Sequence, residues 1–263
     1  MKKLFLLLMI AILGCSKQQT DKVYYNAFSH NDYTRKAPLL DALSYNYNCV
    51  EADIYRIDDE LYVSHDYPDS INKVPTLLDL YIKPLADRID KNKGSVYKGS
   101  SQPFYLMIDF KREGEDIYSL LKEQLKPYEK YFCRYENGKI TKGPILLFFS
   151  GDRPMNSLPK EENRIAFLDG KFNELDQDIP SSLMPVVSDN YKDYFSWDGN
   201  GEMPFDQLVI LKQLVKKAHS ENKKIRLWGG PDTDEYKKIQ INCGVDLIGE
   251  DNLVQLYNIL KGE

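Results

Sequence analysis

Short apolar segments alternate with longer stretches of helical apolar spacing along most of the chain. This alternation is typical of βα units built on a parallel sheet. The first unit is predicted as a strand over residues 23–28 followed by a helix over residues 37–44. The second strand is predicted over residues 48–55, and a hairpin turn brings the chain back through residues 61–64. The pattern therefore predicts an α/β fold from its first strands onward.

The remainder of the chain continues this pattern. Further strands are predicted over residues 104–110, 145–149, 165–168, 183–187, 225–228 and 245–248, and further helices over residues 76–90, 117–125, 205–218 and 253–260. Eight main strands in a chain of this length favour a (β/α)8, or TIM, barrel over an open doubly wound sheet. There is no Gly-rich dinucleotide loop and no P-loop, which argues against a nucleotide-binding fold.

The N-terminus has a different composition from the rest of the chain. Lys2 and Lys3 precede an apolar stretch over residues 4–13, and the sequence ILGC ends at Cys15. This predicts a signal peptide over residues 1–14, which is too short to span a membrane. ILGC resembles the bacterial lipobox, which implies a lipid on Cys15 and a membrane-anchored protein of the bacterial cell envelope, outside the cytoplasm. An ordinary secretory signal with a chance cysteine is the alternative.

A polar tether over residues 15–22 and a single domain over residues 23–263 complete the predicted organisation. The hydrophobic fraction of 42% suits a folded core, and the net charge of −5 gives no support for nucleic-acid binding. We expect a monomer, although the sequence does not determine the oligomeric state. Cys49, Cys133 and Cys243 lack zinc-site spacing and are expected to be buried thiols, and one disulfide among them stays open.

Two of the three histidines lie in one short region of the sequence. The segments FSHNDY, VEADIY and VSHD contain His30, Glu51, Asp53 and His65. Histidine can take and give a proton near neutral pH. The two carboxylates, two residues apart on one strand, point the same way and could hold a hard cation. Acid–base groups beside a metal ion are suited to the cleavage of phosphate esters. The alternatives are a surface His30 in a helix-capping loop and a simple turn at His65.

The third strand adds Asp109 and Lys111 at the end of LMIDFK. Catalytic groups of barrels lie at the carboxyl ends of the strands, where all these residues are predicted to fall. Together with Glu51 and Asp53, Asp109 completes an oxygen-only set that favours Mg²⁺ or Ca²⁺. Lys111 would neutralise charge that grows on a phosphate. The alternative is that the strand-two carboxylates are solvated, that Asp109 pairs with Lys111, and that Lys111 is an ordinary exposed lysine.

Weaker candidates lie at other strand ends. Trp228 ends the seventh strand before two glycines and would either wall the site or pack. Arg153 follows the fourth strand, and Asp189 and Asn190 follow the sixth, so we expect them at most at the rim of the site. His219 lies late in a helix, where a favourable charge at the helix C-terminus explains it, and no role is assigned to it.

At these residues the chain resembles the glycerophosphodiester phosphodiesterase and phosphatidylinositol phospholipase C-like superfamily of barrels. The segments HNDY, VEADIY, VSHD and TLLDLYIKPL are most similar to an uncharacterised bacterial and fungal branch of it, and IRLWGG and GVDLIGED resemble its last two strands. Two departures are present. The usual His-Arg-Gly is His30-Asn31-Asp32, which removes a phosphate-binding arginine and leaves Asn31 as a weak substrate contact. The third acidic ligand, often glutamate, is Asp109, as in the sphingomyelinase D group.

The resemblance implies a metal-dependent phosphoric diester hydrolase acting on glycerophosphodiesters or related phospholipid-derived diesters. It implies that the catalytic groups in this sequence are His30, His65 and Lys111. It implies that the metal ligands are Glu51, Asp53 and Asp109. A phospholipase C- or D-like enzyme on intact lipid head groups is the alternative enzyme. A non-catalytic barrel that binds a glycan is the alternative outside enzymes, and the two histidines argue against it because binding alone requires neither.

Overall fold

The computed structural model describes residues 22–262, and its centre is a closed barrel of parallel strands. The strands are β1 (Tyr24–Ser29), β2 (Tyr47–Ile57), β3 (Glu60–Val63), β4 (Phe104–Phe110), β5 (Arg134–Glu136), β6 (Lys139–Thr141), β7 (Ile145–Gly151), β8 (Ala166–Gly170), β9 (Val186–Asn190), β10 (Lys224–Trp228) and β11 (Leu247–Glu250). The barrel order is β1-β11-β10-β9-β8-β7-β4-β2, and the pairing of β1 with β2 closes it. The predicted (β/α)8 barrel is confirmed.

Two antiparallel elements lie outside the parallel barrel. β3 pairs with the end of β2, as the predicted hairpin requires, and β5 with β6 forms a small separate hairpin that the sequence pattern did not predict. The proposed signal peptide and nearly all of the tether lie outside the described residues. Within residues 22–262 no helix has the length and apolar character needed to cross a membrane.

The helices cover the barrel unevenly. They are α1 (Leu40–Ser44), α2 (Lys83–Lys91), α3 (Gly114–Leu125), α4 (Phe205–Ser220), α5 (Asp234–Cys243) and α6 (Leu253–Lys261), and a π-helical turn, Leu78–Ile82, leads into α2. The connections around β8 contain only 3₁₀ turns, Leu158–Lys160 and Phe172–Glu174. α5 was not predicted because two of its three buried residues, Lys237 and Gln240, are polar and hide the apolar periodicity.

The alternation of side chains along each strand separates two cores. On β2, Val50, Ala52 and Ile54 belong to the outer core under the helices, whereas Cys49 belongs to the barrel interior. The interior core is apolar and consists of Phe28, Cys49, Met107, Cys133, Leu146, Phe148, Phe167, Val186 and Leu247. Cys49, Cys133 and Cys243 are free thiols, and burial raises the pKa of Cys49 well above its usual value.

The interior becomes polar towards the carboxyl ends of the strands. On four strands, a buried polar side chain follows two residues after an apolar interior residue: Glu51 on β2, Ser150 on β7, Asp169 on β8 and Ser188 on β9. Arg226 of β10 is also buried and pairs in register with Ser188. A step of two residues keeps a side chain on the same face of a strand. The apolar plug therefore supports a polar layer directly beneath the catalytic end expected of a barrel.

Candidate active site

A cavity of about 320 Å³ opens at the carboxyl ends of the strands. All the residues predicted as catalytic or metal-binding line it, namely His30, His65, Lys111, Glu51, Asp53 and Asp109. The register explains the meeting of the two aspartates, because Asp53 of β2 pairs directly with Asp109 of β4. The structure thus brings together residues that are far apart in the sequence.

Lys111 joins two of the carboxylates. Its Nζ lies 2.5 Å from Asp53 Oδ2 and 2.8 Å from Asp109 Oδ2. Burial alone would lower the pKa of Lys111, but the hydrogen bonds to Asp109 and Asp53 outweigh it and raise that pKa. The pairing of Asp109 with Lys111, considered above as an alternative to metal binding, is present and extends to Asp53. Lys111 is therefore a permanent positive charge in the cavity.

Lys111 alone does not neutralise the carboxylates beside it. Asp53 is buried, and burial followed by the negative charge of Glu51 raises the pKa of Asp53 to about 6. Its Oδ2 also accepts a hydrogen bond of 2.7 Å from the Tyr33 hydroxyl, which contributes to the raised pKa of Tyr33 after burial. Its Oδ1 is buried and accepts no hydrogen bond from any described residue. Asp53 is thus an acid whose environment favours a further cation.

These observations fit a hard divalent cation. Carboxylate oxygens are the ligands that Mg²⁺ and Ca²⁺ prefer, and the orphaned Asp53 Oδ1 supplies an oxygen that no described donor uses. Within residues 22–262, no three His, Cys, Asp or Glu side chains are already arranged as a metal site, and Lys111 lies between the two aspartates. Glu51, Asp53 and Asp109 are the residues that would hold the ion.

His30 is held by a carboxylate that the sequence pattern did not identify. Its Nδ1 lies 2.9 Å from Asp251 Oδ1, and the hydrogen bond from His30 is the main cause of a lowered Asp251 pKa. An ionised carboxylate can only accept, so Nδ1 donates to Asp251, and the tautomer that this contact selects has Nε2 as the ring nitrogen able to accept a proton. Nε2 lies 3.7 Å from Glu51 Oε2, at the edge of the cavity. His30 is therefore held at Nδ1 by Asp251, with Nε2 on the side of Glu51.

His65 is much less restrained. It follows β3, its side chain is 61% exposed, and its Nδ1 lies 3.2 Å from the Oδ1 of the exposed Asp66. The two histidines thus share one cavity but differ in how they are held. Because the His65 ring is exposed and lines the cavity, it can approach a ligand there without breaking a contact to a buried residue.

The weaker candidates separate into two groups. Asn31 and Trp228 line the cavity, and the Asn31 backbone N–H donates to Glu51 Oε2 at 3.2 Å. Arg153 lies outside this group, since its guanidinium pairs with both Glu174 oxygens at 2.9 and 3.3 Å. Its remaining contact is a donation to the Asp169 carbonyl. Arg153 therefore fixes the loop after β8 rather than the cavity.

The cavity also contains polar residues that were not predicted. Ser150, Lys171 and Arg226 come from β7, from the residue after β8 and from β10. Gly151 beside them has φ +70°, and a Cβ there would lie 2.3 Å from the Phe110 carbonyl oxygen and 2.8 Å from Asp109 Oδ1. Each of these residues is ordinary in sequence. One sequence pattern could have identified Ser150: it follows the buried Phe148 by two residues on the same strand, so both side chains face the barrel interior.

Comparisons with known proteins give the chain its relatives. Residues 17–169, more than half of the chain, match the model of the AIM6-like phosphodiesterase domain. Altered inheritance of mitochondria protein 6 homolog from Arthroderma benhamiae is 30% identical over 231 residues, which cover 77% of this chain and 72% of that protein. Altered inheritance of mitochondria protein 6 from Saccharomyces cerevisiae is 27% identical and covers 88% and 70%.

A solved structure is similar in fold. A glycerophosphodiester phosphodiesterase from Parabacteroides distasonis aligns with a TM-score of 0.57 at 14% identity, over 90% of this chain and 97% of that one. At this identity the likeness concerns the barrel alone. It agrees with the barrel that the strand pattern predicted.

The relatives correct one expectation. A location in the bacterial cell envelope is wrong, because the similar curated proteins come from fungi and are named for the inheritance of mitochondria. The prediction depended on the short ILGC pattern, whereas these similarities extend over most of the chain. Barrel, cavity and family match lead to the same result: this chain belongs to the AIM6-like phosphodiesterase domain family.

Proposed function

We propose that this protein is a metal-dependent phosphoric diester hydrolase acting on glycerophosphodiesters or related phospholipid-derived diesters. The observation that supports it most is the meeting of three carboxylates, the Lys111 ammonium and two imidazoles in one cavity at the carboxyl ends of the barrel strands. The family is described as a phosphodiesterase domain, and the similar solved barrel is named a glycerophosphodiester phosphodiesterase. The substrate class is taken from that name and from the polar lining of the cavity.

The metal ligands in this proposal are Glu51, Asp53 and Asp109. A divalent cation held there would supply a Lewis acid for a phosphate oxygen, which lowers the barrier to attack on phosphorus. Lys111 remains an ammonium beside two of these ligands and stabilises the negative charge that grows on the phosphate. The protein's own positive charge is thus placed where the reacting group would develop negative charge.

His30 acts as the general base in this proposal. Its Nε2 takes the proton from the attacking water, or from a hydroxyl of the substrate, while a new O–P bond forms. Asp251 accepts from Nδ1 and stabilises the imidazolium that results. His65 acts as the general acid and gives its proton to the oxygen of the alcohol whose bond to phosphorus breaks. With water as the attacking group, the products are a phosphomonoester and an alcohol.

The test is a turnover assay on the purified 263-residue chain. Phosphorus NMR would follow glycerophosphodiesters and lysophospholipids, each with Mg²⁺, with Ca²⁺ and with a chelator. We expect product only with a divalent cation and faster turnover on the soluble diesters. Faster turnover on lysophospholipids would favour the lipid-head-group alternative. No product from any diester under any condition would rule out the hydrolase.

Histidine variants assign the roles. His30→Ala and His65→Ala should each lower turnover by roughly 10²- to 10⁴-fold, the usual contribution of general acid–base catalysis. His219→Ala is the matched control because His219 also pairs with an aspartate, Asp246 at 2.8 Å, but does not line the cavity. Full activity of either cavity variant would remove that residue from the mechanism.

A further inference from the structure

Arg226 is a buried arginine beneath the active-site cavity. It lies on β10, is 3% exposed, and its guanidinium carbon lies 4.3 Å from the centre of the Phe28 ring, which belongs to the apolar plug. Arg226 lines the active-site cavity and also a neighbouring cavity of about 170 Å³. His30 lines both cavities as well. A permanent charge therefore lies beneath the reaction centre.

The Arg226 guanidinium has few hydrogen-bond acceptors around it although it is buried. It offers five N–H donors. Among residues 22–262 its one carboxylate neighbour within 4.0 Å is Glu51, whose Oε2 lies 3.7 Å from Nη2, too far for a hydrogen bond. Nη1 contacts Met107 Sδ, a weak acceptor, at 3.6 Å, and the buried Nε finds no acceptor among the described residues. A buried charge with unfilled donors is costly unless something anionic reaches it.

Two arginines in the connection between β7 and β8, Arg153 and Arg164, show what a purely structural role looks like. Arg164 is 7% exposed, and it donates to the carbonyls of Glu161 and Ser182 at 3.0 and 2.6 Å. Arg153 is paired with both oxygens of Glu174. Neither arginine lines the active-site cavity. The Nε of Arg164 is buried without an acceptor among the described residues, as that of Arg226 is, but both Nη atoms of Arg164 donate to protein oxygens. Arg226 differs in both respects.

A second cation lies at the same cavity. Lys171 lines it and has no ion pair within 4.0 Å in the part of the chain that the structure describes. The buried Asp169 of β8 accepts hydrogen bonds from Ser150 and Ser188 and none from these two cations. Burial raises the pKa of Asp169, and the nearby charges of Arg226 and Lys171 act in the opposite direction. Neither Lys171 nor Arg226 is therefore neutralised by a close carboxylate hydrogen bond. Both positive charges remain available to a ligand.

We propose that Arg226, assisted by Lys171, forms an anion subsite in this cavity that binds a non-bridging phosphate oxygen. Its ligands are the phosphodiester and, more tightly, the more highly charged phosphomonoester product. The guanidinium fork matches two oxygens of one phosphate. This inference rests on the proposed function for the identity of the ligand. It would also supply a phosphate-binding arginine to a site in which the arginine usual in the superfamily is replaced by Asn31.

The test measures binding of inorganic phosphate to the 263-residue chain by calorimetry, without turnover. A chelator is present so that only the protein's own cations contribute. Arg226→Met should weaken phosphate binding by roughly tenfold or more, since a hydrogen bond to a charged group is lost. Arg226→Lys should weaken it less because the charge is kept and the fork is lost. Arg164→Met, the matched buried arginine, should bind phosphate as the unsubstituted chain does.

Each other outcome has a defined meaning. Phosphate affinity unchanged in Arg226→Met, or absent in the unsubstituted chain, overturns the proposal. An arginine that only positions Glu51 would reduce Mg²⁺ binding in the variant and leave phosphate binding in chelator unchanged, which also overturns it. If thermal melts show that Arg226→Met does not fold, Arg226→Lys decides, and an unchanged affinity there is the negative result.

The phosphate-binding measurement involves no turnover, so its result can be separated from the test of the proposed function. If the chain turns over no diester but its phosphate binding is lost when Arg226 is replaced, the hydrolase is refuted and the anion subsite is supported. A chain that hydrolyses diesters and binds phosphate without needing Arg226 would refute only the subsite.

Discussion

Two regions of this barrel contain a lysine that bridges two carboxylates. In the active-site cavity, Lys111 lies 2.5 and 2.8 Å from its two carboxylate oxygens. On α5, Lys237 lies 2.6 Å from Asp232 and 2.7 Å from Glu250. The distances are almost the same in the two regions. The ion pairs themselves therefore do not distinguish a reaction centre from a structural cluster.

The difference lies in what surrounds each lysine. Beside Lys111 there is a third carboxylate, Glu51, which helps to raise the pKa of Asp53, and the Asp53 Oδ1 is orphaned among the described residues. Beside Lys237, both oxygens of the buried Glu250 have a donor, because Oε2 faces Lys237 Nζ and Oε1 accepts from the Asn252 backbone N–H at 2.7 Å. A surplus carboxylate oxygen that no described donor uses, and not a salt bridge, is the feature that distinguishes the cavity of Lys111 from the Lys237 cluster.

The largest expected effect comes from removing a surplus carboxylate. Asp53→Asn keeps the side-chain shape and should lower turnover on the order of 10³-fold, because it removes a metal ligand and charge stabilisation. Asp232→Asn, in the other cluster, is the control and should keep the rate nearly unchanged. The assay is diester hydrolysis with saturating Mg²⁺ or Ca²⁺. Equal losses in the two variants would remove the distinction between the regions.

The reverse pattern is expected for folding stability when the other lysine is replaced. Lys237→Met leaves the buried Glu250 without its cation and should lower the free energy of unfolding by about 3 kcal/mol or more. The folded fraction should hydrolyse diesters at nearly the full rate. Urea denaturation and the turnover assay on the same sample measure both quantities. A stable Lys237→Met protein with lost activity would place Lys237 in the reaction instead.

The metal-free chain should respond to pH through Asp53. Its pKa of about 6 when folded lies above the ordinary 3.8, so the folded state binds more protons between these values. Stability conferred by this proton is therefore present at about pH 4 and lost as the pH rises through about 6, by no more than about 3 kcal/mol. Urea denaturation in chelator at several pH values measures it. Asp53→Asn should flatten this slope, and an unaltered slope would contradict the assignment.

The smallest effect concerns the two His–Asp pairs. Asp251→Asn removes the charge that orients His30 and should lower turnover by roughly 10- to 100-fold, as is usual for a residue that acts through its neighbour. Asp246→Asn disturbs the equivalent pair at His219 and should leave turnover unchanged. The pH–rate profile should shift only for Asp251→Asn. Identical profiles in both variants would show that the His30 pair has no special role.

The sequence was sufficient for the barrel and for the core of the site. Alternating apolar segments predicted the eight parallel strands, and the strand-end positions of Glu51, Asp53 and Asp109 placed these carboxylates in one cavity. The segments around His30 and His65 were enough to indicate the superfamily. Local patterns succeed there because the side chains that matter follow directly from the ends of strands.

Other features depend on contacts that no local pattern encodes. Asp251 meets His30 only because β11 pairs with β1 when the barrel closes, with Ser29 in register with Glu250. Arg226 lies in a strand that reads IRLW, where an arginine between apolar residues indicates an exposed face as readily as a barrel interior. Helix α5 was missed because Lys237 is buried in its ion pairs. Each of these features follows from the closure of the barrel and from long-range pairing.

The most direct measurement is a titration with Mg²⁺ and Ca²⁺ that records ion binding and glycerophosphodiester turnover in the same sample. The chain should bind an ion with turnover rising in proportion, and Asp53→Asn should show neither, whereas Asp232→Asn should show both. Turnover that persists in chelator, or ion binding that is unchanged in Asp53→Asn, would contradict the assignment of the three-carboxylate cavity as the reaction centre.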